Sequence, residues 1–235
     1  MGKVYRFCLL LAALLALALR LPAPAQSATR SDVQEEVCDP LADYFLGMED
    51  YSEAIRRHIQ VIKQHPDNAL AHYHLGFAYG LTGQHQKELR EYQRAVDLGL
   101  SDWELFLNLG LLYLEREHLS TATQILQLAT LLGPVQPETH FNLALAYEQR
   151  GMLAQAEQEL LLALKLDPRQ ADALNTLGVI YAEQGDYVRA RAEWTELVGE
   201  VPDYEPARDN LAILKRVEGG QLKGEMPVGG FSHAR

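Results

Sequence analysis

Four histidines in one short stretch are the residues whose type could support metal chemistry, because a neutral imidazole is a common metal ligand. They are His58, His65, His72 and His74. His72 and His74 are two residues apart, so on a helix they would point to different sides and would not chelate one ion. His58 and His65 lie in a separate segment. The spacing therefore predicts no metal site, and we expect no other cofactor.

The sequence motifs of nucleophilic, metalloprotease and phosphate-binding enzymes are missing. There is no Gly-x-Ser-x-Gly, no His-Glu-x-x-His and no phosphate-binding loop. The 235 residues include 32 acidic and 21 basic side chains, which give a net charge of −11. This acid excess argues against a nucleic-acid partner, because binding to phosphates depends on Lys and Arg. We therefore predict a protein without catalytic residues and without a nucleic-acid partner.

The N-terminus has the pattern of an export signal. Lys3 and Arg6 precede an unbroken apolar run of thirteen residues, 7–19. A membrane-spanning helix needs about 20 apolar residues, whereas a signal peptide has a shorter run followed by small residues. The pattern predicts a signal peptide over residues 1–28. The alternative is an uncleaved anchor with Arg20 at its far end.

Small residues place the cleavage after Ala25 or Ala28, with a linker over 29–34 behind it. We expect export to the bacterial periplasm, or secretion, without stable membrane insertion after cleavage. Cleavage would remove Cys8 and leave Cys38 as the single thiol. That thiol is either buried in an apolar environment or paired with another chain.

One spacing dominates residues 35–204. Leucines recur every 34 residues, each followed by a small residue and, three positions later, by an aromatic one. The leucines are Leu41, Leu75, Leu109, Leu143 and Leu177; the small residues are Ala42, Gly76, Gly110, Ala144 and Gly178; the aromatic residues are Phe45, Tyr79, Tyr113, Tyr147 and Tyr181. Alanine stands twelve positions after the small residue, except in the second unit, which has Glu88 there. The units are 35–68, 69–102, 103–136, 137–170 and 171–204.

Each unit carries two apolar stretches at helical spacing, separated by a turn, and therefore predicts a hairpin of helix A followed by helix B. The small residues let the two helices approach closely. Asp50 and Asp186 are expected to cap their B helices. Ser101 and Glu104 are expected to form a capping box at the third helix A.

One hairpin cannot bury its own apolar face, so neighbouring hairpins must stack. Residues 205–217 predict a helix that caps the C-terminal end of the stack, and the glycine-rich residues 218–235 predict a flexible tail. For Glu88 we expect either a splayed hairpin or pairing with a base such as Arg90 or Lys87 at the surface.

The repeating pattern resembles the tetratricopeptide repeat (TPR) family. The segments FNLALAYEQRGMLAQAEQELLLALKLDP and LNTLGVIYAEQGDYVRARAEWTELVGEVP look like nearly complete copies of its motif. The resemblance covers residues 35–204 and implies an all-α fold: a right-handed α-solenoid of five helix-turn-helix repeats with a C-terminal capping helix.

The resemblance also implies that certain positions of helix A face the concave side of the solenoid, where partners of this family bind. They form an apolar floor with interspersed amides: Tyr73, Phe77, Leu107, Asn108, Leu111, Phe141, Asn142, Leu145, Asn175 and Val179. An amide both donates and accepts, which suits capture of a peptide backbone. Acidic residues recur near the start of helix A, at Glu36, Glu104, Glu138 and Asp172. They are either an acidic rim for a basic partner or a favourable charge at the helix N-terminus.

These observations predict an exported adaptor that holds a peptide or helix of a partner protein in its groove and serves cell-envelope assembly. Two alternatives stay open. One is a structural solenoid that assembles with copies of itself through an open end or through Cys38. The other is a subunit that recruits substrates to an enzyme complex.

Overall fold

The computed structural model describes residues 39–219 and 230–231. Eleven α-helices account for about three-quarters of these residues, and the described segments contain no strand. The helices are α1 (Pro40–Gly47), α2 (Tyr51–Gln64), α3 (Ala69–Leu81), α4 (His85–Asp97), α5 (Trp103–Glu115), α6 (Leu119–Leu132), α7 (Pro137–Gln149), α8 (Leu153–Leu166), α9 (Ala171–Glu183), α10 (Tyr187–Glu200) and α11 (Glu205–Glu218). The predicted all-α class is confirmed.

Helix starts follow the 34-residue spacing of the sequence. Helices α3, α5, α7, α9 and α11 begin at residues 69, 103, 137, 171 and 205, and the helices that follow the turns begin at 51, 85, 119, 153 and 187. Odd-numbered helices up to α9 are the predicted A helices, and even-numbered helices are the B helices. Each A helix packs against the B helix that follows it, and each B helix packs against the next hairpin.

The small residues of helix A make room for one large side chain from helix B. A Cβ added to Gly110 would lie 2.6 Å from Leu126 Cγ, and one added to Gly178 would lie 2.3 Å from Trp194 Nε1. Trp194 is fully buried and donates a 3.1 Å hydrogen bond to the carbonyl of Asn175. Close packing therefore explains why glycine recurs inside these helices despite its low helix propensity.

Local signals set the ends of the helices. Helices α2, α6, α8 and α10 all end two residues before a proline. Proline stops a helix there because it lacks an N–H group and because its ring disfavours the helical conformation of the preceding residue. Helix α4 has no such proline and ends one residue earlier in the repeat. There Gly99 adopts a φ of 95°, the left-handed conformation that glycine favours after a helix.

Two predicted caps are confirmed, and one is wrong. The Asp50 side chain accepts from Glu53 N at 3.2 Å, and that of Asp186 accepts from Arg189 N at 3.0 Å. The cap of α5 is Asp102 rather than Ser101. Asp102 has the extended backbone of an N-cap residue, and its carboxylate accepts from Glu104 N at 2.8 Å.

For Glu88 the splayed hairpin is wrong, whereas pairing with a base is confirmed, with His85 as the base. The side chain is buried in the second hairpin, and its Oε2 lies 3.0 Å from Nδ1 of His85, not beside Arg90 or Lys87. Burial raises the pKa of the Glu88 carboxyl, and the hydrogen bond with His85 opposes that rise. The hairpin stays closed around this carboxylate.

The C-terminal end is covered by α11 and by part of the tail. Helix α11 buries Ala207, Asn210 and Leu214. Phe231 is only 4% exposed, and its ring centroid lies 5.2 Å from that of Trp194. At this residue the aromatic ring gains apolar contacts that a solvated tail would forgo, and the flexible tail over 218–235 stays a prediction.

Several predictions fall outside the described residues. They concern the signal peptide, the linker, Cys8, Cys38 and Glu36. Within residues 39–219 and 230–231, none of the helices combines the length and the hydrophobicity that crossing a lipid bilayer requires.

Candidate partner-binding groove

A cavity of about 520 Å³ lies where α1, α3 and α5 meet, with Glu138 from the start of α7 at its edge. Its apolar lining includes Leu46, Tyr73, Phe77 and Leu107. Three of these residues were predicted as groove floor, and Asn108, also predicted, joins them. Helices from successive hairpins thus bring the predicted residues of the second and third units together.

A short hydrogen-bond network fixes the polar side of this cavity. Asn108 Nδ2 donates to the Tyr73 hydroxyl at 3.2 Å, and that hydroxyl donates to Glu104 Oε2 at 3.4 Å. Burial and the nearby carboxylates of Glu104 and Asp102 raise the pKa of Tyr73 above its usual range. The protonated phenol thus connects Asn108 with Glu104 through two hydrogen bonds.

A second cavity, of about 180 Å³, continues the floor along α3 and α5. Phe77 and Asn108 line both cavities, and Leu111 lines the second. Phe77 is 37% exposed, the largest exposure among the predicted apolar floor residues that are described. The accessible apolar surface of the groove is thus centred on Phe77.

The fourth unit contributes less open surface. Phe141 is half-buried against the larger hydrophobic cluster of the molecule, and Leu145 is half-buried as well. Asn142 Nδ2 donates to the carbonyl of Glu138 in its own helix at 2.8 Å. The structure places these three residues outside the lining of both cavities.

The fifth unit has no accessible floor, so Asn175 and Val179 are not groove residues. Both are 0% exposed. Asn210 of α11 donates a 3.0 Å hydrogen bond to Asn175 Oδ1, and Val179 belongs to the same buried cluster as Leu214 of α11. The capping helix packs over the surface that the preceding units leave open, which the repeat positions alone could not reveal.

Two of the recurring acids lie at the groove. Glu104 and Glu138 line the larger cavity together with Asp43. Asp172 instead accepts a 2.7 Å hydrogen bond from the hydroxyl of Tyr204. Of the recurring acids that are described, those of the third and fourth units thus reach the groove, and that of the fifth does not.

Sequence reasoning missed a cluster at the edge of the same cavity. Asp43 Oδ1 lies 2.9 Å from His74 Nδ1 and 3.8 Å from His58 Nε2. Stacking of the first two hairpins brings these residues together. The available signal was His58 itself, a polar residue at the position where other units place a large buried side chain such as Leu126 or Trp194.

The neighbouring His72 faces elsewhere, as its spacing from His74 predicts. Its Nδ1 lies 2.6 Å from Glu91 Oε2 and its Nε2 lies 3.3 Å from the carbonyl of Pro66. The fourth unit repeats the arrangement with His140 and Glu159, at 2.7 Å. These pairs connect helices within the stack and are structural.

Sequence comparison agrees with this architecture. The family profile described as "TPR repeat" matches residues 45–83, and the profile described as "Tetratricopeptide repeat" matches residues 107–170 and 141–205. The chain belongs to the tetratricopeptide repeat family. No curated protein sequence matches this TPR protein at a significant level.

Solved TPR structures share its fold. YrrB, described as a TPR protein with an unusual peptide-binding site, is 22% identical, with a TM-score of 0.66 over 75% of this chain and 92% of its own. MamA is 21% identical, with a TM-score of 0.65 over 71% and 97%. A MamA fragment from Desulfovibrio magneticus RS-1 is 18% identical, with a TM-score of 0.65 over 70% and 94%. In this TPR protein, the open groove belongs to the first three hairpins.

Proposed function

We propose that this TPR protein is a non-catalytic adaptor that binds a peptide or a helix of a partner protein in the groove of its first three hairpins. The observation that carries the proposal is the 520 Å³ cavity, which combines apolar walls with carboxylates at its edge. TPR proteins are in general interaction scaffolds, and the peptide-binding site described for YrrB supports the same use of this fold.

The lining indicates the chemistry of the partner segment. Phe77 and Leu107 offer an apolar surface for one or two large side chains. Glu104, Glu138 and Asp43 attract Lys or Arg next to those anchors. Helix contacts already fix the backbone of the groove, so the cost of ordering falls mainly on the partner segment and on the exposed groove side chains. We therefore expect a basic segment with aromatic or aliphatic anchors.

The setting is proposed from the N-terminal sequence. The signal-like residues 1–28 support export, and export of an acidic TPR protein supports a role in assembling complexes of the cell envelope. The bacterial periplasm is the proposed compartment. Self-assembly of the solenoid and recruitment of substrates to an envelope enzyme are the alternative roles.

Selection from a random peptide library with the purified chain as bait tests the groove. The expected peptides are basic with apolar anchors, and the double variant Phe77→Glu/Leu111→Glu should lose them while its circular dichroism stays helical. Leu131→Glu/Val188→Glu is the matched control, because both residues are about three-quarters exposed and lie on B helices. Peptide binding that survives the groove variant would contradict the proposal.

Light scattering separates the alternatives. An average mass that rises with protein concentration in the absence of peptide, in the groove variant as well as in the control variant, favours self-assembly. A monomer that binds peptides only through the groove favours the adaptor.

A further inference from the structure

Three side chains from three different helices converge at the edge of the groove. Asp43 comes from α1, His58 from α2 and His74 from α3. One ligand-type atom of each, the Asp43 Oδ1 and a ring nitrogen of each histidine, lies within 4.8 Å of the other two. The two imidazole centroids are 5.5 Å apart.

The interior member of this cluster is polar without an evident packing reason. His58 is only 1% exposed, and its Nε2 has no hydrogen-bond partner among the residues that the structure describes. Asp43 Oδ1, also shielded from solvent, makes no hydrogen bond there, although it lies 2.9 Å from His74 Nδ1 as an ion-pair partner. Buried polar atoms in native proteins are usually paired, so His58 Nε2 calls for a further ligand.

We propose that Asp43, His58 and His74 form a binding site for a divalent first-row transition-metal ion such as Zn²⁺. Two imidazoles and one carboxylate are a donor set that suits Zn²⁺ and its neighbours, whereas Mg²⁺ and Ca²⁺ prefer oxygen ligands alone. The proposal does not depend on peptide binding in the groove.

The distances match the needs of such an ion. Metal–ligand bonds of about 2.0–2.2 Å in a tetrahedral site place the ligand atoms about 3.3 Å from one another. Asp43 Oδ1 lies 2.9 Å from the His74 ring nitrogen and 3.8 Å from that of His58, and all three ligand atoms lie within 4.8 Å of one another. Side-chain adjustment around an ion would complete the site.

The site has one accessible side. His58 lies behind the cluster, whereas Asp43 and His74 line the 520 Å³ cavity. Three protein ligands leave at least one coordination position of a zinc-type ion for water or for another donor. The cavity offers the space for such a donor.

Titration of the purified chain with Co²⁺, followed by its visible ligand-field absorption, tests the site. We expect saturation at one ion per chain and displacement by Zn²⁺. His58→Leu should weaken binding by at least about 100-fold, as should Asp43→Asn. His58→Leu keeps the packing, because other units carry Leu126 and Leu160 at the equivalent position.

His140→Asn is the matched control. It removes a histidine whose Nδ1 is also paired with a carboxylate, at 2.7 Å from Glu159, but in the fourth unit. Its metal affinity should equal that of the wild type. Absence of saturable binding, or equal binding by the wild type and both site variants, would overturn the assignment.

Discussion

The carboxylate of Glu88 occupies the space that a side chain on Gly80 would need. A Cβ added to residue 80 would lie 2.7 Å from Glu88 Oε1. The other units have alanine in place of Glu88, and none has glycine in place of Gly80. Two departures from the repeat thus compensate each other within one hairpin, which explains how α3 and α4 stay in contact around a buried acid.

The first prediction is a coupling between these two residues. Gly80→Ala should lower the free energy of unfolding by about 1 kcal/mol, because the new methyl group displaces a carboxylate that pairs with His85. In a Glu88→Ala background the same substitution should raise it by about 0.5–1 kcal/mol through helix propensity. Urea unfolding of the four proteins measures both effects. Equal effects in the two backgrounds would show that the residues are independent.

Acid sensitivity should depend on His58. Its folded-state pKa of about 4 lies below the ordinary 6.5. Between these two pH values, residue 58 is protonated in the unfolded chain and neutral in the folded chain. The free energy of unfolding is therefore highest above about pH 6.5. It decreases as the pH falls toward 4, by up to about 3 kcal/mol from this group. His58→Leu should flatten this part of the unfolding profile measured without metal. An unchanged slope contradicts the prediction.

Glu88 should act with the opposite sign. Burial raises its folded-state pKa, so the folded chain holds the proton more tightly than the unfolded chain. The contribution of protonated Glu88 to the free energy of unfolding is fully present below pH 4.5, the ordinary pKa of glutamate. It is lost as the pH rises through the raised folded-state pKa. Glu88→Gln should therefore gain stability relative to the wild type between acid and neutral pH. Denaturation midpoints at the two ends of this range provide the measurement.

The groove acids should give peptide binding a salt dependence. Glu104→Gln/Glu138→Gln should lower the affinity for a basic peptide about tenfold at low salt. The difference in affinity should shrink at high salt, because salt screens the attraction between the acids and the peptide. Glu196→Gln/Glu200→Gln removes the same charge from exposed positions of α10 and serves as the control. Fluorescence anisotropy against ionic strength distinguishes the two pairs. Identical curves would exclude a steering role for the groove acids.

Docking of the C-terminal segment should contribute to stability. Phe231→Ala removes a 4%-exposed ring from its contact with Trp194 and should cost about 2–3 kcal/mol in the free energy of unfolding. Val188→Ala, at a side chain that is 75% exposed, should change it by less than about 0.5 kcal/mol. Thermal unfolding followed by tryptophan fluorescence reports both. A Phe231 variant as stable as the control would mean that the contact between Phe231 and Trp194 contributes nothing to the free energy of unfolding.

Local order was readable from the amino acids alone. The recurrence of leucine, a small residue and an aromatic residue every 34 positions determined the hairpins, because helical periodicity and close A–B contacts depend on residues within one unit. Caps such as Asp50 act within a few residues, so the sequence also determined where several helices begin, although α5 is capped by Asp102 and not by Ser101.

Accessibility at each repeat position was decided by the tertiary structure. Leu107 and Asn175 occupy the same position of their units, yet Leu107 lines a cavity and Asn175 is sealed by Asn210. Likewise, Asp43, His58 and His74 come from different helices and meet only when two hairpins stack. Burial and side-chain clustering depend on contacts between units. The spacing of residues along the sequence does not specify which neighbouring helix covers which face.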